Sequence, residues 1–474
     1  MLFNSLTFIV FFIVVLGLHY TIQSWTARKT VLLLASYVFY AAWNPPFVVL
    51  LWISTLIDWF VARALVKEEV RRRRRVLLSL SLAGNLGLLG YFKYGGFLLE
   101  NFIEMMHLAG IPFEAAAPNI ILPVGISFYT FQTLSYTLDV YFKKARPSGS
   151  FLDFALYVTF FPQLVAGPIV RATEFLPQCE EPKRATRDQL GWGLYFITLG
   201  LFQKVVLADG FLSGASDAVF DFKDGTLFVL DAWLGLLAFS AQIFCDFAGY
   251  STCAIGVALC LGFVLPDNFR SPYAAIGLSD FWRRWHMTLS SWLRDYLYIS
   301  LGGNRQGHLR TLGNLMVTMF LGGLWHGASW TFVAWGVLHG FYLVVEHQLR
   351  QWFGSHRWTR IPLARVGLGF LTFFLVTLAW VFFRSSDFPA AWALLGALFD
   401  GSAGGTQILS TLDMIKVGLV VAGILGAHWY LHEKRLEHAM QNFHAGFVVG
   451  IWVIMLCGLI LMQGGANAFI YFQF

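Results

Sequence analysis

Thirteen apolar runs punctuate the chain, and several are long enough to cross a lipid bilayer. They lie near residues 5–22, 29–43, 47–66, 76–96, 119–142, 151–170, 190–210, 226–262, 311–325, 330–348, 362–383, 414–431 and 446–463. A spanning helix needs about 20 predominantly apolar residues to cross a hydrocarbon core roughly 30 Å thick. At that depth no water satisfies backbone N–H and C=O groups, so such runs must fold as helices that satisfy themselves. The composition agrees. Residues AVILMFWYC make up 57% of the 474 positions and charged residues only 13%, where a soluble domain has about 25%. The mean hydropathy is +0.63. Too little polar surface exists to cover a water-soluble globule, which excludes a soluble enzyme, a disordered chain and a collagen-like fibre. The expectation is an all-α polytopic membrane protein.

Pro162, Gly167 and Pro168 interrupt the 151–170 run, which therefore reads as re-entrant, and the 226–262 run is long enough for two segments. Together the runs predict about eleven transmembrane helices plus re-entrant and interfacial helices. No internal repeat is visible, which argues against an inverted-repeat transporter. The first run lacks a basic n-region and a small-residue cleavage site, so it reads as a retained span. Lys and Arg concentrate at Arg28-Lys29, Arg71 to Arg75, Lys143 to Arg146, 270–310, 350–365 and Lys434-Arg435. Placing these loops on the cytoplasmic side puts the N-terminus outside and is self-consistent at both ends; the 151–262 stretch stays unassigned. The net charge is only +6, and its placement between apolar runs fits topology rather than nucleic-acid binding. Five cysteines show no CxxC pair and no zinc spacing, so neither a disulfide scaffold nor a metal site is indicated.

Two segments stand out chemically. Residues 279–305 are too polar to span. Ser279 reads as an N-cap, and Trp285, Leu289, Trp292, Leu293 and Tyr296 fall on one helical face. An interfacial amphipathic helix explains the aromatics, but not His286, Arg294-Asp295 or the Gly302-Gly303-Asn304-Arg305 turn. Structural helix and functional wall stay equally open on residue types alone. In the second segment, Thr311 to Trp325 spans about 22 Å as a helix. With Arg310 at the inner interface, His326 sits at membrane depth, flanked by Gly322, Gly323 and Gly327. An ionisable side chain there points to function by default, and histidine is a natural general base. A satisfied core histidine is the competing reading.

These residues also carry a resemblance. Tyr91 to Tyr94, Ile121 to Tyr129, Gly167-Pro168, Asp246 to Ser251, Phe281 to Arg305 and Gly322 to Gly327 resemble the membrane-bound O-acyltransferase (MBOAT) family. The likeness is to the bacterial branch that O-acetylates exopolysaccharides such as alginate and cellulose, and it covers nearly the whole chain. It implies one membrane domain over 1–474, with a catalytic core at about 119–348 and helices arranged around a central funnel. It implies His326 as catalytic residue and His286 as a second functional histidine. It implies acetyl-CoA as donor substrate and no metal. Arg283, Arg284, Arg294, Asn304 and Arg305 become candidates for binding the CoA phosphates, which suit arginine; topology and headgroup contact remain the alternative for each. His286 could orient substrate, assist proton transfer or stabilise charge. The expected partners are membrane lipid and either the exopolysaccharide itself or a separate serine-hydrolase-like periplasmic subunit. The expected location is the bacterial inner membrane.

Thr252-Cys253 depart from the acidic residue that follows Gly-Tyr-Ser in alginate-type members, which leans the polymer toward cellulose or another exopolysaccharide. Asp246, in an apolar run, needs a partner or a role. Tyr129, Gln132 and Asp139 are weaker candidates, and His339 and His347 read as structural. The rival readings are D-alanyl transfer to teichoic acids, a transporter without chemistry, and an inactive scaffold.

Overall fold

Every regular element among the described residues is helical, and the one β pairing there is an isolated bridge between Leu227 and Thr406. The computed structural model describes residues 1–116, 120–354, 361–400, 404–462 and 470. Part of the 350–365 basic loop, and the first residue of the 119–142 run, lie outside them. The chain forms two compact units: Met1–Leu194 with Ala254–Pro266, and Tyr195–Cys253 with Asp267–Phe474.

The first unit opens with α1 (Leu6–Thr21) and α2 (Trp25–Ala41), each capped by a serine hydroxyl, from Ser5 and Ser24. Helices α3 (Val48–Lys67) and α4 (Arg71–Leu89) follow, and α4 continues through a π-helical turn into α5 (Gly95–Leu108). Helix α6 (Ile126–Tyr141) starts later than the apolar run, because Pro123 and Gly125 precede it. Gly125 has φ 76°, and a Cβ there would meet the Leu164 carbonyl oxygen at 2.7 Å, so only glycine fits. The 151–170 run is broken as expected. It forms α7 (Phe151–Thr159) and the single turn α8 (Phe161–Leu164), then irregular backbone before α9 (Ala172–Glu180). This broken stretch is buried from Phe154 to Val170, where protein groups can satisfy it. Asp58 on α3 is fully buried. One of its oxygens accepts from the Ser81 hydroxyl and, at 2.6 Å, from the Thr137 hydroxyl, while the other accepts from the Asn85 amide at 2.7 Å. Ser54 donates in turn to Asn85 at 2.6 Å. The network ties α3, α4 and α6 together.

Helix α10 (Arg187–Leu201) begins in the first unit and ends in the second. It runs on through a π-helical stretch, Phe202–Leu212, into α11 (Ser213–Phe220). The 226–262 run is not two segments. It is one 32-residue helix, α12 (Val229–Cys260). No proline interrupts it, and Gly249 lets it pack backbone to backbone: a Cβ there would meet the Gly200 oxygen at 2.6 Å. Its Asp246 is buried against Lys204 at 2.5 Å and accepts the Ile470 N–H at 2.8 Å; Lys204 also pairs with Asp209 at 2.8 Å.

The second unit continues with α13 (Leu278–Arg284), α14 (Met287–Trp292) and a π-helical turn, Leu293–Tyr298. The long pair α15 (His308–His326) and α16 (Trp330–Phe353) comes next. Helices α17 (Pro362–Arg384), α18 (Phe388–Phe399), α19 (Thr411–Tyr430), α20 (Leu436–Met440) and α21 (Ala445–Leu461) complete it. Six helical stretches among the described residues are long and apolar enough to cross a membrane, and three shorter apolar helices accompany them. The protein is a multi-pass membrane protein.

Candidate active site

Helix α15 ends at His326 because the next residues cannot continue it. Gly327 is extended, and a Cβ there would meet the Phe332 ring at 2.1 Å. Ser329 then caps α16, its hydroxyl accepting the Thr331 N–H at 3.3 Å. The two helices close on a glycine seam. A Cβ on Gly323 would meet the Phe332 oxygen at 2.4 Å, and one on Gly336 the Met319 oxygen at 2.4 Å. Small residues at such a seam let membrane helices approach closely. The seam presses the far end of α15 onto the aromatic face of α16. The His326 ring lies edge-on to Trp335 with centroids 4.9 Å apart, beside Trp325 at 5.0 Å and Phe383 of α17 at 5.4 Å. Trp335 also stacks on Trp380 at 5.8 Å and meets His339 at 4.7 Å.

His286 approaches from the other segment. The expected continuous helix from Ser279 does not form. Gly277 occupies the N-cap position, while Ser279 donates from N–H and hydroxyl to Glu346 at 2.7 and 3.1 Å. The helix breaks at His286, whose backbone is left-handed at φ 42°, ψ 54°. Two backbone hydrogen bonds hold the break against the 267–271 loop: Arg270 N–H to the Arg284 oxygen, and Met287 N–H to the Asn268 oxygen, both 2.9 Å. Of the residues on the expected face, Trp285, Leu289, Leu293 and Tyr296 are each buried, and Trp292 is half-buried. The His286 ring is 0% exposed and packs edge-on against Phe247 at 4.7 Å. Burial pushes its imidazole down from 6.5 to about 3, so the ring is neutral. Its Nδ1 lies 3.1 Å from the Asn268 side-chain oxygen. Trp325 touches both histidines, with its centroid 5.8 Å from His286 and 5.0 Å from His326. The structure thus brings the two sequence-predicted histidines onto one indole.

The arginines are placed differently. Arg284 is mostly buried, donating to Asp280 at 2.9 Å and to the His432 carbonyl at 2.7 Å. Arg283 and Arg294 are exposed, 4.0 Å from Asp280 and 2.7 Å from Asp295. Asn304 and Arg305 sit exposed on the glycine turn, which Asn314 anchors by donating to the Gly303 oxygen at 2.9 Å. Asp246 has Lys204 as its partner, and His347 lies against His308 at 5.6 Å. Tyr129, Gln132 and Asp139 are buried in the first unit, where the Gln132 amide donates to the Tyr157 oxygen at 2.6 Å. Among the described residues no cluster of His, Cys, Asp or Glu could hold a metal ion.

Three residues at the site were not singled out beforehand: Trp325 as a bridge, Trp335 and Asn268. Trp335 and His339, at i and i+4 on α16, share a face that periodicity could have revealed. Asn268 lies in a polar loop with no spacing signal.

The chain is similar to known proteins. Residues 142–386 match the membrane-bound O-acyltransferase family. The chain is 40% identical to the probable alginate O-acetylase AlgI of Pseudomonas aeruginosa, over 91% of this chain and 81% of that one. It is 39% identical to the peptidoglycan O-acetyltransferase of Helicobacter pylori, over 83% of this chain and 79% of that one. The teichoic acid D-alanyltransferase of Bacillus subtilis is 29% identical over 54% of this chain and 68% of its own length.

Proposed function

The chain belongs to the membrane-bound O-acyltransferase family, and from that premise we propose that it moves acetyl from cytoplasmic acetyl-CoA to a secreted polysaccharide, from the bacterial inner membrane. It is an O-acyltransferase acting on envelope polymers; the donor, the direction and the polymer are the proposed part. The observation that carries the reading is that His326 and His286 both contact the Trp325 indole, with ring centroids 5.0 and 5.8 Å from it. A hydroxyl attacks the thioester carbonyl, a C–O bond forms and the C–S bond breaks. His326 takes the hydroxyl proton and returns it to the departing thiolate. His286 faces the same indole and receives or orients the acceptor group. Arg283 and Arg294 are exposed and can turn toward CoA phosphates at the expense of weak surface pairs, and Arg305 is exposed as well. Arg284 serves by holding α13 to the 431–435 turn, and Asn304 by shaping the glycine loop.

The relatives named for alginate and for peptidoglycan O-acetylation, both near 40% identity over most of the chain, support an acetylated envelope polysaccharide. The lean toward cellulose rests on Thr252-Cys253 alone. Transfer proceeds to the polymer directly or through a serine-hydrolase-like periplasmic subunit. A second reading, D-alanyl transfer, is favoured only by the shorter and less identical match to the teichoic acid enzyme.

The test is complementation of a deletion strain of the native host. Wild type and His326→Ala are expressed at matched membrane levels, and O-acetyl content and sugar composition of the secreted polysaccharide are read by proton NMR. The expected result is acetyl signal with wild type only. Equal acetylation by both proteins removes His326 as the base. Unchanged acetylation on deletion removes the polysaccharide reading and turns attention to D-alanine.

A further inference from the structure

Asn268 is 1% exposed, and its side chain gathers several hydrogen bonds at one point of the site. Its amide nitrogen donates to the Ser251 hydroxyl of α12 at 3.1 Å. Its side-chain oxygen faces three groups: the Thr288 N–H at 3.3 Å, the Thr288 hydroxyl at 2.8 Å and His286 Nδ1 at 3.1 Å. Carboxamide oxygen and nitrogen are often interchangeable in a structure. Here they are not, because a backbone N–H can only donate, so the atom facing Thr288 is the oxygen. A carboxamide oxygen only accepts. The imidazole nitrogen facing it must therefore carry a hydrogen, and in the neutral ring the lone pair then lies on Nε2.

We propose that Asn268 is the positioning residue of the second histidine: it fixes His286 as the Nδ1–H tautomer, so that Nε2 is the lone-pair nitrogen that orients the acceptor group while His326 takes the proton of the attacking hydroxyl. The inference rests on the role given to His286 above. The same residue also holds the backbone. A non-glycine residue in the left-handed region is uncommon and persists where its surroundings over-determine it. At His286 those surroundings include the Asn268 carbonyl, which accepts the Met287 N–H at 2.9 Å. Ring and backbone are thus set by one asparagine on a different loop.

The test is magic-angle-spinning NMR on the full chain in lipid bilayers, with ¹³C,¹⁵N-labelled histidine. His286 signals are identified by their loss in His286→Asn. Wild type is expected to show protonated Nδ1 and bare Nε2. Asn268→Leu is expected to shift population to the other tautomer, and to lower kcat for acetyl transfer by about tenfold or more with little change in the KM for acetyl-CoA, as loss of an orienting partner does elsewhere. Asn268→Asp keeps an accepting oxygen and keeps the Nδ1–H signal, which separates tautomer control from misfolding. Protonated Nε2 in wild type, or an unchanged tautomer in Asn268→Leu, overturns the proposal. A shifted tautomer with undiminished transfer also overturns it, by removing His286 from the chemistry. In that case loss of transfer in His326→Ala still upholds the proposed function; if His326→Ala is active as well, that reading falls too.

Discussion

Asp58 in the first unit and Asp246 in the second pose the same physical problem. Each is a carboxylate at the middle of a long apolar helix, and each is almost completely buried. An isolated charge there is very costly, so each must find partners. Asp58 is surrounded by neutral donors: two hydroxyls and one carboxamide, from Ser81, Thr137 and Asn85. Asp246 is met by a cation, Lys204, and by the backbone N–H of Ile470. The neutral solution spreads its stabilisation over several helices, so no single partner is decisive. The charged solution concentrates it in one lysine, which also serves Asp209. Buried polar groups therefore fail gradually in one region and abruptly in the other.

The largest expected effect follows from removing that lysine. Lys204→Met leaves two buried carboxylates without a counter-charge and should lower stability by about 3–5 kcal/mol, read as the shift in unfolding on titrating SDS into mixed micelles. The triple variant Lys204→Met, Asp246→Asn, Asp209→Asn should recover much of the loss. If it does not, the lysine acts through packing and the contrast with Asp58 is lost. Asp58→Asn is expected to cost less, about 1–3 kcal/mol, because it turns one acceptor into a donor facing the Asn85 amide. Ser81→Ala should cost only about 0.6 kcal/mol, the typical worth of one interhelical hydrogen bond in a membrane bundle. A loss as large as that of Lys204→Met would break the comparison. Asp387 is the surface control. It caps α18, accepting the Ala390 N–H at 2.8 Å and the Ser386 hydroxyl at 3.0 Å. The Ala390 N–H, and then the Ser386 hydroxyl, hold its carboxyl below the ordinary 3.8. A depressed carboxyl stabilises the fold above the unfolded value and stops doing so as pH falls through the folded one. Asp387→Ala should cost about 1 kcal/mol at pH 7 and less once the pH is well below 3.8.

The helical membrane character was legible because bilayer thickness sets segment length, and the break at 151–170 because proline and glycine announce it. The joining of 226–262 into one helix was not, since length alone cannot distinguish one long helix from two short ones. Counting residues from Arg310 put His326 about one helix-length on, and α15 does end at His326. Its neighbours could not be found that way. Trp325, His286, Asn268 and Ser251 lie on separate segments, and only tertiary packing brings them together. The left-handed turn at His286 leaves no trace in sequence either, because the residues around it read as an uninterrupted amphipathic face. Ser279 looked like a cap for the same reason: local pattern favoured it, and a glutamate from α16 claimed it.

The backbone at position 286 also limits what can stand there. A left-handed φ is tolerated by glycine and asparagine and resisted by alanine, glutamine or leucine. The side chains that would delete the imidazole most simply are therefore the ones that would distort the chain. An inactive His286→Ala protein would report a mixture of lost chemistry and a displaced turn. Asparagine and glycine are the substitutions that ask a chemical question alone, so the vocabulary of informative mutants at this position is written by a torsion angle rather than by the reaction.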